Sequence, residues 1–263
     1  MIRSNFLALL AIGLLGAGVA CGGGESPKSE ASASAPAAAT TGAVSTAASG
    51  GSTGTASFSG KVAYEGSVPP VERVKLNADP KCAAMHKEGL ERWQLRVKDG
   101  GLADVLVYVK SGLHGTYPSS TDPVLLDQKG CDYWPHMVVK MVGQPLVIRN
   151  SDDTLHNIHP RPQVNPEFNI GQPHQGMESK KTMDKPEIMI PVGCDVHPWM
   201  RAFISVFDHP FFTVTKEDGS FEIKGLPAGE YEVEAYHGKL KTQDLKLTVK
   251  DGEAAKLNFS FKG

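Results

Sequence analysis

The 263-residue sequence has little net charge and few aromatic residues or cysteines: the formal net charge is −2, aromatics make up 7% and there are four cysteines. A chain so close to neutral lacks the excess of Lys and Arg that binding to a polyanion requires, so nucleic acid is not an expected partner. Motifs of the types Cys-x-x-Cys-His, Gly-x-Ser-x-Gly and His-Glu-x-x-His are also missing. These absences argue against covalently bound haem and two common hydrolase mechanisms, and we do not expect an enzyme.

The N-terminus has the pattern of a bacterial export signal. Arg3 precedes an apolar run over residues 6–20 that is too short to span a membrane comfortably. Cys21 follows directly, which predicts a lipoprotein-type signal peptide over residues 1–21 and lipidation of Cys21; the alternative is an ordinary signal cut near Ala20. We therefore expect an exported protein, periplasmic or on the cell surface, that is held to a bacterial membrane by its lipid.

Residues 22–56 consist mostly of Ala, Ser, Gly and Thr. A segment of this composition cannot bury enough apolar surface to fold, so a disordered linker is predicted. A flexible chain of this length spans about 30 Å on average, which suits a tether between a membrane and a folded part.

From residue 57 onward the sequence is typical of an all-β protein, and only residues 83–90 suggest a helical turn. It predicts a β-sandwich over residues 57–208 and a small antiparallel sandwich over residues 209–263. At about 55 residues the second unit would be marginal alone, so we expect it to pack against the first. The predicted strands span residues 58–64, 93–97, 105–109, 138–142, 146–148, 188–192 and 202–207 in the first unit, and 211–215, 221–223, 231–235, 245–249 and 257–261 in the second.

Four residues of the first unit form a recognisable set of metal ligands. Cys194, His197 and Met200 lie close together in the sequence, and His156 lies upstream, after a predicted strand. A thiolate, two imidazoles and a weakly bound thioether are the ligands of a mononuclear electron-transfer copper site. The sequence therefore predicts one type 1 copper. Zinc is the alternative because it also accepts Cys and His, although Met is a poor zinc ligand.

Other residues are expected to support this site without binding the metal. Pro198 fixes one φ angle in the ligand loop and so stiffens it. Asn157 is placed to form a hydrogen bond across the loop and steady the sulfur. The polar stretch over residues 159–185 has no periodicity, and we expect a long loop that covers one side of the site.

The two remaining cysteines are predicted to form a disulfide. With Cys21 assigned to the anchor and Cys194 to the metal, Cys82 and Cys131 are left in a protein expected where disulfides persist. The alternative is that both bind metal, but no Cys-x-x-Cys spacing supports it.

The segment Cys194-Asp195-Val196-His197-Pro198-Trp199-Met200-Arg201 resembles the ligand loop of amicyanin-like members of the cupredoxin, or blue copper, family. The segment around His156 is similar to the one that carries the first histidine in plastocyanin-like and amicyanin-like members. This resemblance covers residues 143–207 well and residues 57–142 loosely. It implies a Greek-key sandwich, one type 1 copper and transfer of single electrons.

The family resemblance also implies where electrons enter and leave. The loop histidine of cupredoxins is often the exposed edge through which electrons pass, so His197 and the adjacent Trp199 are expected to form the electron port and docking face. Core packing is the alternative for Trp199.

The last residues resemble a carboxypeptidase regulatory-like, or transthyretin-like, domain. The resemblance lies in Asp218-Gly219-Ser220-Phe221 and in Gly225-Leu226-Pro227-Ala228-Gly229. Such domains are usually not catalytic.

The resulting hypothesis is a membrane-tethered electron carrier whose partner is another redox protein. Two alternatives stay open: a copper-binding module without redox traffic, and a cell-surface interaction protein in which the metal is structural or absent.

Overall fold

The computed structural model describes residues 54–263. The predicted signal peptide, the lipidation at Cys21 and nearly all of the predicted linker lie outside the described residues. Within residues 54–263 the predicted all-β fold is confirmed, with one short helix. No helix in this range has the length and apolarity needed to cross a bilayer.

The first half of the described chain contains β1 (Ala56–Glu65), β2 (Glu72–Val74), α1 (Pro80–Met85), β3 (Leu90–Arg92), β4 (Val97–Lys98), β5 (Gly101–Leu102), β6 (Leu106–Ser111), β7 (Val124–Gln128), β8 (Tyr133–Trp134), β9 (Met137–Met141) and β10 (Leu146–Asn150). The second half contains β11 (His156–Pro160), β12 (Ile170–Gln172), β13 (Glu178–Lys181), β14 (Glu187–Gly193), β15 (Arg201–Phe207), β16 (Phe212–Val214), β17 (Ser220–Leu226), β18 (Gly229–His237), β19 (Lys241–Val249), β20 (Ala254–Lys256) and β21 (Phe259–Lys262).

Strands β7 to β15 form one sandwich, here called the central sandwich. Its sheets have the orders β13-β10-β7-β8 and β12-β11-β14-β15-β9. Apolar side chains from both sheets, among them Leu126, Ile148, Ile190 and Ile204, are fully buried between them. The pairs β7–β10 and β9–β15 are parallel and the other pairs are antiparallel, so both sheets are mixed.

Residues 159–185 are more regular than the sequence suggested. This stretch contains β12, which pairs with β11, and β13, which pairs with β10. Each adds an edge strand to one sheet of the central sandwich. The sequence hides them because both are short and largely exposed, so they show no hydrophobic alternation.

Strands β1, β4 to β6 and β16 to β21 form a second sandwich, here called the terminal sandwich, whereas β2 and β3 pair with each other in a small separate sheet. Strand β1 is its organising element, since it pairs with β17 and β5 antiparallel and with β20 and β21 parallel. The facing sheet has the order β16-β6-β18-β19. Phe58 and Val62 of β1 lie in one core with Phe221 and Phe259.

This pairing corrects the predicted domain boundaries. Residues 56–65 and 97–111, assigned from the sequence to the first unit, belong to the sandwich that holds the C-terminal strands. The physical reason is that the C-terminal strands alone are too few to bury their apolar faces, and β1 and β6 supply the missing layers.

The connectivity makes the central sandwich an insertion. Strand β6 pairs antiparallel with β16, and the whole central sandwich lies between them in the sequence. A third apolar cluster, with Leu106 and Phe212 from the terminal sandwich and Met141 and Phe207 from the central one, packs where the two sandwiches meet.

The role of β1 can be tested with Phe58→Ala. Because the Phe58 ring is fully buried, we expect the variant to lose about 3–5 kcal/mol of unfolding free energy. Ser59→Ala, at the half-buried neighbouring position, is the control. Guanidinium unfolding measures both variants. A loss for Phe58→Ala no larger than for Ser59→Ala would mean that the C-terminal strands form their sandwich without β1.

Candidate metal centre

Three of the four predicted ligands come together in the central sandwich. His156 begins β11, Cys194 directly follows β14, and His197 lies in the loop between β14 and β15. Because β11 and β14 pair with His159 opposite Gly193, the start of β11 lies beside this loop. One ligand atom from each of the three residues lies within 4.8 Å of the other two.

The two imidazoles face each other through the same ring atom. Nδ1 of His156 lies 2.9 Å from Nδ1 of His197, and Nδ1 of His197 lies 3.9 Å from Sγ of Cys194. His156, His197 and Cys194 are respectively 0%, 1% and 4% exposed. Water therefore has almost no access to the three donors.

Each imidazole is held from behind by a carboxylate. Nε2 of His156 lies 2.9 Å from Oδ2 of Asp152, and Nε2 of His197 lies 3.2 Å from Oδ2 of Asp79. Burial alone would raise the pKa of Asp152, but hydrogen bonds from His156 and from the backbone of Cys131 and Gly130 lower it. A carboxylate can only accept hydrogen bonds, so each Nε2 must carry the proton and donate it.

This arrangement leaves two lone pairs pointed at each other. With Nε2 protonated on both rings, each neutral imidazole presents an unprotonated Nδ1 to the other at 2.9 Å. Such a pair needs a proton or a metal ion between the nitrogens. Burial alone would lower the pKa of His156, but the contacts with Asp152 and Cys194 raise it.

The surroundings of Cys194 lower the pKa of its thiol. Burial alone would raise its pKa, but the two imidazoles beside it and the backbone N–H groups of Asn157 and His197 lower it to about 6. The N–H of His197 lies 3.3 Å and that of Asn157 3.5 Å from the sulfur. A thiolate at neutral pH together with two unprotonated imidazole nitrogens is a donor set that fits copper or zinc.

Met200, the fourth predicted ligand, closes the ligand loop. Its N–H donates to the carbonyl of His197 at 2.9 Å, and its carbonyl accepts from the N–H of Cys194 at 3.4 Å. The residue is fully buried, whereas Pro198 lies exposed at the outer side of the loop. Binding of the metal by the thioether stays a prediction.

Asn157 ties the ligand loop to β11. Its Oδ1 accepts from the N–H of Asp195 at 2.7 Å and lies 3.1 Å from the sulfur of Cys194. Its Nδ2 donates to Asn169, and Asn169 donates to Asp195 at 2.6 Å. Asn169 belongs to the 159–185 stretch, which thus borders the site on the side of Asp195.

The ring edge at His197 and Trp199, expected to be exposed as the electron port, is buried: His197 is 1% and Trp199 6% exposed. Asp79 and Cys82, from residues 76–92, lie beside the outer nitrogen of His197. Nε1 of Trp199 donates to the carbonyl of Cys131 at 3.0 Å, and the Trp199 ring lies 4.9 Å from the His197 ring. Core packing, the alternative for Trp199, is what the structure has. Val196, beside His197, is exposed instead.

The predicted disulfide between Cys82 and Cys131 is present. Residues 54–263 contain three groups of side chains whose donors are close enough to hold a metal, and all three surround this one site. Two of them use a sulfur of the disulfide, which is not available as a thiolate. His156, Cys194 and His197 form the one group with all its donors free to bind.

Sequence reasoning missed both carboxylates. Asp152 lies four residues before His156 in the same loop, so its proximity was the one available signal. Asp79 lies 118 residues before His197, and no motif connects the two.

No family model and no curated protein matches this chain. Solved structures with some likeness include a copper-containing nitrite reductase (NirK) from Thermus scotoductus SA-01, with 22% identity, a TM-score of 0.29 and coverage of 38% of this chain and 25% of that one. A Cu(I) amicyanin variant has 20% identity, a TM-score of 0.29 and coverage of 32% and 81%. A purple cupredoxin from Nitrosopumilus maritimus has 18% identity, a TM-score of 0.28 and coverage of 32% and 98%.

This chain thus spans about a quarter of the length of the nitrite reductase. Likenesses at TM-scores of 0.28 and 0.29 carry no argument about function, which rests on the side chains described above.

The ionisation of Cys194 is measurable in the metal-free protein. We expect the ultraviolet absorbance of the thiolate to appear with a midpoint near pH 6 rather than 9. Cys194→Ser is the control that identifies the signal. Because the folded pKa lies below the unfolded value of 9.0, the ionisation contributes stability that is complete above about pH 9, decreases towards pH 6 and is gone below it. A midpoint near 9 would contradict the described hydrogen bonds to the sulfur.

Proposed function

We propose that this protein is a type 1 copper protein of the cupredoxin family that carries single electrons. One observation carries the proposal: two unprotonated imidazole nitrogens, 2.9 Å apart, converge with the Cys194 sulfur in a buried site. His156, Cys194 and His197 would hold the copper, with Met200 as a weak fourth ligand. Copper bound there would supply a centre that accepts and returns one electron.

The rigidity of the donors supports electron transfer. Copper(I) and copper(II) prefer different geometries, so a carrier must hold a compromise that changes little between them. All three donors are held in place in the metal-free protein. A carboxylate lies behind each histidine, and two backbone N–H groups point at the sulfur. These contacts orient the rings and keep the thiolate in place.

The closed site argues against an enzyme. A catalytic metal centre keeps an open position for its substrate. Here the three donors are buried, and the described residues offer no separate group of donors for a second copper. We therefore propose that the copper exchanges electrons with another redox protein through the surrounding protein, without binding a substrate. Export, and attachment to a bacterial membrane through Cys21, belong to the same proposal.

A non-redox copper-binding module is the second candidate, and the burial of His197 favours it. The covered ring has no exposed edge through which a partner would exchange electrons directly. The colour of the copper protein separates the two candidates, because a storage or delivery site lacks the short, strongly covalent copper–thiolate bond of a carrier.

The test is a visible spectrum and EPR of the purified full-length chain after addition of one equivalent of copper(II). We expect an intense sulfur-to-copper charge-transfer band with narrow copper hyperfine splitting, and one copper per chain. Cys194→Ser and His156→Ala should each abolish the band because they remove a donor. His174→Ala, which removes an exposed imidazole, is the matched control and should keep it.

A pale protein with ordinary copper EPR would contradict the electron carrier and support the non-redox module. A chain that took up no copper would contradict both.

A further inference from the structure

Residues 76–92, here called the covering segment, close the outer edge of His197. The segment contains α1 and β3, and Asp79 is the N-cap residue of α1. Nε2 of His197 lies 3.2 Å from Oδ2 of Asp79 and 4.0 Å from Sγ of Cys82. The ring edge that the family resemblance placed in solvent thus faces a carboxylate and a disulfide.

Asp79 is held firmly on its own segment. Its Oδ1 accepts from the N–H groups of Lys81 at 2.7 Å and Cys82 at 3.0 Å, and its Oδ2 accepts from the hydroxyl of Thr154 at 2.8 Å. All of these partners, and Nε2 of His197, are donors, so both oxygens of Asp79 act as acceptors, as those of an ionised carboxylate do, and the second oxygen is aimed at His197.

A covalent bond helps to fasten the covering segment to the central sandwich. The disulfide joins Cys82 of α1 to Cys131 of the central sandwich. The ion pair of Lys81 with Asp153 is exposed on both sides, so it adds little. The guanidinium of Arg92 donates to the carbonyl of Trp199 near the other end of the segment. The disulfide is the covalent restraint on the segment, and it acts beside the burial of Leu76 in the core of the central sandwich and the contact of His86 with the carbonyl of Gly130.

The same disulfide lies against both carboxylates behind the imidazoles. The N–H of Cys82 donates to Asp79, and the N–H of Cys131 donates to Asp152 at 2.7 Å. Each cysteine therefore orients the carboxylate that orients one histidine.

We propose that Asp79 is a positioning residue for His197 and that the Cys82–Cys131 disulfide holds it there, so that the covering segment stabilises copper(II) over copper(I) and slows copper loss. This inference rests on the proposed copper function. A carboxylate that accepts a hydrogen bond from Nε2 makes Nδ1 of the imidazole a stronger metal ligand. Copper(II) gains more from this than copper(I) because its charge is higher. The covering segment also blocks access of a competing ligand to the His197 edge.

The first test is Asp79→Asn in the full chain, measured by copper(II) affinity and by reduction potential. Asn is of equal size and an equally good N-cap, but it has no charge. If the amide oxygen of the new side chain keeps the cap bonds, its NH2 group faces Nε2 of His197. Both groups are then hydrogen-bond donors, and the bond to His197 is lost. We expect copper(II) affinity to fall 10–100-fold and the potential to rise by about 59 mV for every tenfold loss specific to copper(II).

Glu88→Gln is the matched control for this variant. It neutralises one exposed carboxylate of the same covering segment, and we expect wild-type affinity and potential. An Asp79→Asn protein that bound copper with the affinity and potential of the Glu88→Gln protein would overturn the proposal.

The second test is the double variant Cys82→Ala, Cys131→Ala, which removes the covalent restraint on the covering segment and keeps the charge of Asp79. We expect copper to pass to a chelator at least about tenfold faster than from the wild type, with the blue band retained because its three donors are intact. Release at the wild-type rate would overturn the role of the disulfide. Absence of the blue band from the wild type itself would instead contradict the proposed function.

Discussion

The metal centre depends on one electrostatic constraint, the approach of two unprotonated imidazole nitrogens to 2.9 Å beside a thiolate. These three electron-rich atoms repel one another, and a buried site offers no water to separate them. The fold holds them together by fixing the far side of each ring to a carboxylate and by aiming two backbone N–H groups at the sulfur. A cation between the donors would relieve the repulsion, and the site that would hold it is already assembled.

Packing of distant chain segments produces this arrangement. His156 and the ligand loop become neighbours through the pairing of β11 with β14, and the core between the two sheets fixes the direction of both. Asn157 then joins the strand to the loop. The contact that orients His197 comes from farther away, since Asp79 lies 118 residues before it, on a segment that the Cys82–Cys131 disulfide joins to the central sandwich. The contacts among β11, β14 and the ligand loop lie within the central sandwich, whereas the contact on the outer nitrogen of His197 depends on the covering segment.

The ligand loop and most strands could be predicted from the sequence because each depends on residues that lie close together in the chain. Cys194, His197 and Met200 share one loop whose spacing is readable, and most of the strong strands show alternation or apolar runs. Strand pairing is not readable in this way: the pattern of β1 gives no sign that its partners lie at the other end of the chain. The burial of His197 was missed for a related reason, because the family resemblance covers the ligand loop and not the residues that lie over it. Asp79 belongs to an ordinary helix start, and its second role exists only in the folded chain.

The insertion of the central sandwich between two paired strands makes the metal unit modular. The ends of an inserted domain emerge side by side, at β6 and β16, so such a unit can be transplanted into another hairpin or circularly permuted without stretching the chain. The covering segment, however, leaves the host sandwich between β1 and β4, outside the inserted stretch. A graft of the insert alone would therefore carry the three donors but leave Asp79 and Cys82 behind. The three donors and their cover are thus encoded in separate parts of the chain, and one can be exchanged without the other.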